Sequence, residues 1–234
     1  MKTLKNLFFG ILLFIAAVIA LAYAFNYQHL FNAIALTYLK GETSATIDDG
    51  VDFPSRNIEK GVAQPWQKDS LYNKTSLPKN IVDNLKSTNS ASFLVIKDGK
   101  LVHEEYFGEY KPTTQTNSFS MAKAITVLLM GLAIEDHKIQ SENQKFADFY
   151  PNFNEIEHGN ELTLRDLAAM EAGYYWDEDY RNPFLQNPRI YYGKNMAEAL
   201  LKSPQFEAKP GSRFEYQSGA TQLLGFAIRK AVNV

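Results

Sequence analysis

Phe119-Ser120-Met121-Ala122-Lys123-Ala124-Ile125-Thr126-Val127-Leu128-Leu129-Met130 sets a hydroxyl and an amine three residues apart at the head of an apolar run. From Phe119 to Ile134 the only charge is Lys123, so the stretch reads as a helix that ends near Asp136. Residues i and i+3 share a helix face, which points Ser120 and Lys123 the same way. A lysine desolvated among apolar side chains loses proton affinity, and a neutral amine beside a serine can take the hydroxyl proton as acyl transfer begins. With Ser120 in the first turn, free backbone N–H groups and the positive end of the helix dipole favour a developing oxyanion. The bland alternative is a core helix whose lysine snorkels to water.

The same spacing recurs at Ser76-Leu77-Pro78-Lys79. There Pro78 and the polar neighbours Asn73, Lys74 and Thr75 indicate a loop or a helix start, not an apolar helix. Working outward, Asn80 to Lys86 reads as a short helix. Phe93-Leu94-Val95-Ile96 and Leu101 to Phe107 read as two strands joined through Lys97-Asp98-Gly99-Lys100, a hairpin signature. Downstream come polar turns, then a capped helix starting at Thr163 with Leu164, Leu167, Ala168 and Met170 on one side. An aromatic-rich loop and a last helix from Gln222 to Val232 follow. Two strands followed by a mainly helical region predict an α+β fold rather than alternating βαβ units.

The composition, 234 residues with 45% hydrophobic, 21% charged and a formal net charge of −2, suits one globular domain plus an anchor. It shows no basic stripe and no phosphate-binding glycine loop, so no nucleic-acid partner is expected. With no cysteine, disulfides and thiolate metal sites are excluded. His29, His103, His137 and His158 lack metal-ligand spacing, which predicts solvent-facing or capping roles, and neither metal nor organic cofactor is expected. Lys2 and Lys5 precede an uncharged run of 19 residues from Leu7 to Phe25. That length matches the ~20 residues of a membrane span, and the lysines favour a cytoplasmic amino terminus with the remainder outside the membrane, on the periplasmic side. Ala22-Tyr23-Ala24 also fits a signal-peptidase site, which would instead release a secreted protein. The expected organisation is an anchor or signal segment over 1–40, a connecting segment over 41–90 and the globular domain over 91–234.

Five segments in this order resemble the serine β-lactamase and penicillin-binding protein superfamily, in particular class C β-lactamase-like esterases and 6-aminohexanoate-dimer hydrolases. They are the Phe93 to Phe107 hairpin, Ser120 to Lys123, Leu162 to Leu167, Gly173 with Trp176-Asp177-Glu178-Asp179-Tyr180, and Pro210 to Ser218. The resemblance implies a partial β-lactamase/DD-peptidase-like fold, an antiparallel sheet with a helical region. It implies Ser120 as acylated nucleophile, Lys123 as its proton partner and Tyr216 as the tyrosine of a Tyr-x-Asn motif that returns the proton to the leaving group. A phenol of ordinary pKa about 10 serves as a base only beside a cation, which Lys123 would supply.

Ser218 stands where many relatives have asparagine, and Met170-Glu171-Ala172-Gly173 where they usually carry Thr-Ser-Gly. The chain stops at Val234, before the family's Lys-Thr-Gly or His-x-Gly strand, so it is expected to be truncated. Tyr175 and Trp176, within the aromatic loop, are candidates with Ser218 for lining a substrate cleft, although packing under a long loop explains such residues equally well. The expected partner is a small-molecule or peptide substrate with an amide, ester or lactam bond. The rival reading is a non-catalytic module that binds cell-wall peptide or a protein partner.

Overall fold

The structure is a computed structural model that describes residues 2–180, 182–202 and 204–233. The chain forms two compact units, one of Thr46–Asn117 and one of Met1–Ala45 with Ser118–Val234.

In the smaller unit, strands β2 (Ser92–Lys97) and β3 (Lys100–Tyr106) pair antiparallel across an Asp98-Gly99 turn. Both turn residues have positive φ, 49° and 73°, the geometry that matches the twist of a two-residue hairpin. A third strand, β1 (Gln67–Lys68), pairs parallel with β3, so the sheet order is β1-β3-β2 and the sheet is mixed rather than purely antiparallel. No pattern announces β1, because two exposed polar residues carry no alternation. Asn73 continues its work by side chain: its amide donates to the Glu104 carbonyl at 2.9 Å and accepts the Glu104 N–H at 2.8 Å. Helix α3 (Lys79–Ser87) lies between β1 and β2 in sequence.

In the larger unit, helix α1 (Lys2–Ala24) contains Thr3–Ala24, 22 residues long and apolar enough to cross a membrane by length and composition. Asn26, at φ 59°, breaks the chain after it. The next apolar residues form a separate helix, α2 (His29–Leu36), which packs on α6 (Gln186–Tyr192). This corrects the expectation for His29. It is buried, and its Nε2 donates to the Pro183 carbonyl at 2.9 Å, because the second helix turns that face inward. His137 and His158 take left-handed positions in turns, φ 54° and 63°.

The core lies among α4 (Met121–Glu135), α5 (Leu164–Ala168), α7 (Met196–Leu201), α8 (Ser218–Ala231) and two 3₁₀ turns at Phe146–Asp148 and Pro151–Glu155. Phe146, Phe153, Leu162, Leu164, Leu167, Leu200, Leu223 and Leu224 are fully buried, each contributing roughly 1.5–3 kcal/mol by leaving water. The stretch between α4 and α5, which reads as polar turns, thus supplies two core phenylalanines.

Helix α5 starts with a reciprocal capping box: Thr163 Oγ1 accepts the Asp166 N–H at 3.2 Å and Asp166 Oδ2 accepts the Thr163 N–H at 2.9 Å. It stops at Ala168, and Met170 leaves the helix with φ 57°, so Met170 does not extend the apolar face as expected. Helix α8 begins at Ser218, four residues before the predicted Gln222, because its first turn is capped from outside by the Glu178 carboxylate.

Candidate active site

Ser120 is the N-cap of α4, and its hydroxyl makes no capping bond. That leaves Oγ open to other partners. Phe119 before it sits at φ 44°, a left-handed conformation that costs a residue with a Cβ about 1–2 kcal/mol. Such strain is maintained only where surrounding contacts over-determine the turn, and here it fixes the direction in which Ser120 leaves the chain. Among the described residues the Ser120 N–H has no hydrogen-bond partner.

Two donors converge on Ser120 Oγ: Lys123 Nζ at 3.1 Å and the Tyr216 hydroxyl at 2.8 Å. Lys123 comes from one turn along α4, as the spacing predicts; Tyr216 arrives from 96 residues away. Lys123 Nζ also lies 5.2 Å from the centre of the Tyr216 ring, so serine oxygen, amine and phenol form one cluster. The cluster is open to solvent. Ser120 and Tyr216 are exposed and Lys123 is half-buried, with Met121, Ile125 and Leu128 of the same helix facing water. The apolar enclosure expected around Lys123 is therefore not present.

Tyr216 is placed by the backbone on either side of it. The Glu215 N–H donates to the Met170 carbonyl at 2.9 Å, and the Gly211 N–H to the Glu171 carbonyl at 2.8 Å. The buried Gln217 side chain donates to the Tyr174 carbonyl at 2.6 Å. The Met170-Glu171-Ala172-Gly173 departure thus leaves this pairing intact, since main-chain atoms do the bonding. Gly173 is required there: at φ 62° a Cβ would lie 2.1 Å from the Ala208 carbonyl oxygen.

Beyond Tyr216, Glu178 anchors the start of α8. Its carboxylate accepts the Ser218 N–H at 2.9 Å, the Ser218 hydroxyl at 2.5 Å, the Tyr180 hydroxyl at 2.7 Å and Trp176 Nε1 at 2.6 Å. An anion at a helix N-terminus is doubly favoured, by free N–H groups and by the dipole. Burial alone would raise the Glu178 pKa; the bonds from Ser218, Tyr180 and Trp176 outweigh it and hold the carboxyl below its ordinary value. In the sequence Asp177-Glu178-Asp179 is a plain run of three carboxylates that does not single out Glu178. The available signal is the spacing Trp176, Glu178, Tyr180, which puts three side chains on one side of an extended segment.

Of the residues expected to line a substrate cleft, Ser218 is buried and its hydroxyl proton is committed to Glu178. Trp176 is buried beneath α8, where a Cβ on Gly219 would come within 2.5 Å of the indole. Tyr175, on the alternate side of the segment, lines a separate cavity to which Ser120, Lys123 and Tyr216 do not contribute. Among the described residues no cluster of His, Asp and Glu suited to a metal ion occurs.

A model of the Beta-lactamase family matches residues 78–232, well over half of the chain. The chain belongs to that family. Its fold is accordingly α+β and β-lactamase-like. Among solved structures, a 6-aminohexanoate-dimer hydrolase homologue from Bacillus anthracis is similar at 22% identity and TM-score 0.57, over 68% of this chain and 44% of that one. A β-lactamase homologue from Bacteroides dorei follows at 20% identity and TM-score 0.54, over 66% and 45%. A class C β-lactamase mutant is similar at 18% identity and TM-score 0.50, over 66% and 43%. The chain therefore spans less than half the length of the β-lactamase-fold structures it matches. No curated protein matches the sequence.

Proposed function

We propose that this β-lactamase-family chain is a serine hydrolase that cleaves an amide, ester or lactam bond through an acyl-enzyme on Ser120. The observation that carries the reading is the convergence of Lys123 Nζ and the Tyr216 hydroxyl on Ser120 Oγ, at 3.1 and 2.8 Å. Ser120 Oγ bonds to the substrate carbonyl carbon as its proton passes to whichever neighbour offers a lone pair, the Lys123 amine or the Tyr216 phenolate. Positive charge on Lys123, within reach of the Tyr216 ring, stabilises negative charge developing on the phenol oxygen. The carbonyl electron pair moves onto oxygen, and the unpartnered Ser120 N–H at the head of α4 is a donor available to that charge. Collapse breaks the bond to the leaving group, which takes a proton from Tyr216. Water then adds to the acyl carbon along the reverse proton path and frees Ser120.

Glu178 acts one step back. By holding Ser218 and the first turn of α8, it fixes the segment that carries Tyr216. The proposed location is extracytoplasmic, with α1 as an uncleaved anchor: Thr3–Ala24 is long enough to span, and Lys2 and Lys5 favour an inside amino terminus. Protease added outside the inner membrane should digest the domain while the chain fractionates with membranes. A mature amino terminus at Phe25 would establish signal cleavage instead.

The nucleophile is tested with a fluorophosphonate probe on the full chain, followed by mass spectrometry of the labelled peptide. The expected adduct is on Ser120, with Ser76 unmodified. Labelling at Ser76, or ester hydrolysis with no serine labelled, would remove Ser120 from this role.

A further inference from the structure

Within the larger unit, residues 27–32 are clasped to the segment 183–193. Helix α2 packs on α6, the Asn32 side chain donates to the Tyr192 carbonyl at 2.9 Å, and His29 Nε2 donates to the Pro183 carbonyl at 2.9 Å. Tyr27 meets Phe184 edge-on, with 5.5 Å between ring centres, and carries Arg189 over its face at 4.9 Å. His29 is the enclosed member of this clasp, 3% exposed, and a Cβ on Gly193 would lie only 3.8 Å from its own Cβ.

A carbonyl only accepts, so the bond to Pro183 fixes the neutral ring with its proton on Nε2 and leaves Nδ1 as a lone pair. That Nδ1 is sealed from solvent and has no hydrogen-bond partner among the described residues; Gln186 Oε1, equally sealed, is not bonded to it. Protonation turns the lone pair into a buried N–H that shares a full positive charge and has neither acceptor nor solvent in reach. The surrounding charges oppose it as well. Helix α2 has no other titratable side chain. Arg189, Tyr191 and Tyr192 come from α6, Lys40 from the Tyr38–Lys40 turn packed on α2, and Lys194, Glu198 and Lys202 from the adjoining cleft. Glu198, the carboxylate of that group, is engaged by Lys202 at 3.4 Å. Burial, with Arg189 adding to it against the opposing Pro183 bond, holds the His29 pKa below its ordinary 6.5.

We propose that His29 is a proton-operated release for the amino-terminal segment: with the ring neutral, α2 stays seated on α6, and with the ring protonated, α2 leaves, because only in water does the Nδ1 proton find an acceptor. The clasp is at full strength above pH 6.5, the ring's ordinary value, and weakens as pH falls from there through the folded one. Where α1 is held in a membrane, release lengthens the tether between α1 and the domain. The release itself needs neither the anchor nor the chemistry at Ser120.

Hydrogen exchange of the full chain in mild detergent, read by mass spectrometry and divided by the intrinsic rate at each pH, compares peptides of α2 with peptides of α8 at about pH 7.5 and about pH 5.5. Protection of α2 should fall about fivefold or more in acid while α8 stays unchanged. His29→Gln, whose amide can keep the Pro183 bond but cannot titrate, should protect α2 equally at both values. Arg189→Gln should shrink the acid loss, since it removes a cation that opposes charge on the ring. Undiminished protection of α2 in acid, an equal acid loss in His29→Gln, or a loss shared by α8 would overturn the proposal. Where His29→Gln leaves α2 unprotected at both values, the wild-type ring decides: its NMR resonance, assigned by its disappearance in that variant, should titrate below 6.5, and titration at or above that value would overturn the proposal.

Discussion

Helices α4 and α8 pack on each other, yet their sequences and their burial run in opposite directions. In α4 nearly every residue is apolar, but Met121, Ile125, Leu128, Leu129 and Leu132 are exposed and only Met130 and Ala133 are buried. The more polar α8 buries eight residues, among them Ser218, Gly219 and Thr221. The difference lies in the partners. Gly219 lets Trp176 approach closer than any Cβ allows, Glu178 satisfies the first turn, and α5 closes the other side. Hydropathy states what a helix gains from being covered; neighbours decide whether it is covered. For the site, α8 supplies the rigid side and α4 the open one.

The largest break in that comparison is chemical. Ser120→Ala should leave no detectable acyl adduct. Lys123→Ala on the open helix and Tyr216→Phe beside the rigid one should each slow acylation by about 10² or more. The double variant should lose far less than the product, because groups that share one proton path act as a unit. Two independent multiplicative losses would show that the helices contribute separately.

Stability separates the helices next. Leu224→Ala in α8 removes a fully buried side chain and should cost about 2–5 kcal/mol. Leu128→Ala, 64% exposed on α4, should change stability by no more than about 0.5 kcal/mol. Urea unfolding of both variants in the same detergent measures the contrast, and equal losses would mean that α4 is covered in solution. Gly219→Ala should fall between them, at about 1–3 kcal/mol, because its methyl must displace the indole of Trp176.

The last contrast is Glu178→Gln, which preserves shape but removes the charge at the head of α8. Since the folded state lowers the Glu178 pKa, its contribution is fully present above the unfolded-state value and fades as pH falls through the folded one. Wild type should thus be more stable than the variant near neutrality and lose that advantage in acid. Melting temperatures across pH 3 to 7 read this directly, and a constant gap would place the effect in packing instead of charge.

Local signals made much of the fold legible. The Asp98-Gly99 turn, the capping pair Thr163 and Asp166 and the apolar period of Ser120 to Ile134 each specify an element through near neighbours in the chain. Ser120 and Lys123 were legible for the same reason, being one helical turn apart. Strand β1 was not, since its partner lies over 30 residues away and its own two residues have no pattern. Trp176 and Tyr175 read in the sequence as aromatic candidates for a cleft; alternate facing puts one beneath α8 and the other on a different cavity.

The sequence by itself determined the helix that carries Ser120 with Lys123 on its face, the hairpin, the α+β class and an amino-terminal segment apolar enough to span a membrane. These depend on contacts within a few residues, where backbone geometry and side-chain period leave little choice. Only the tertiary structure decided that Tyr216 meets Ser120 across 96 residues, that Glu178 caps α8, and that His29 turns inward to leave an unanswered acceptor at the end of α1. Each of those is a meeting of distant segments, set by which surfaces pack together, and no local pattern encodes the partner.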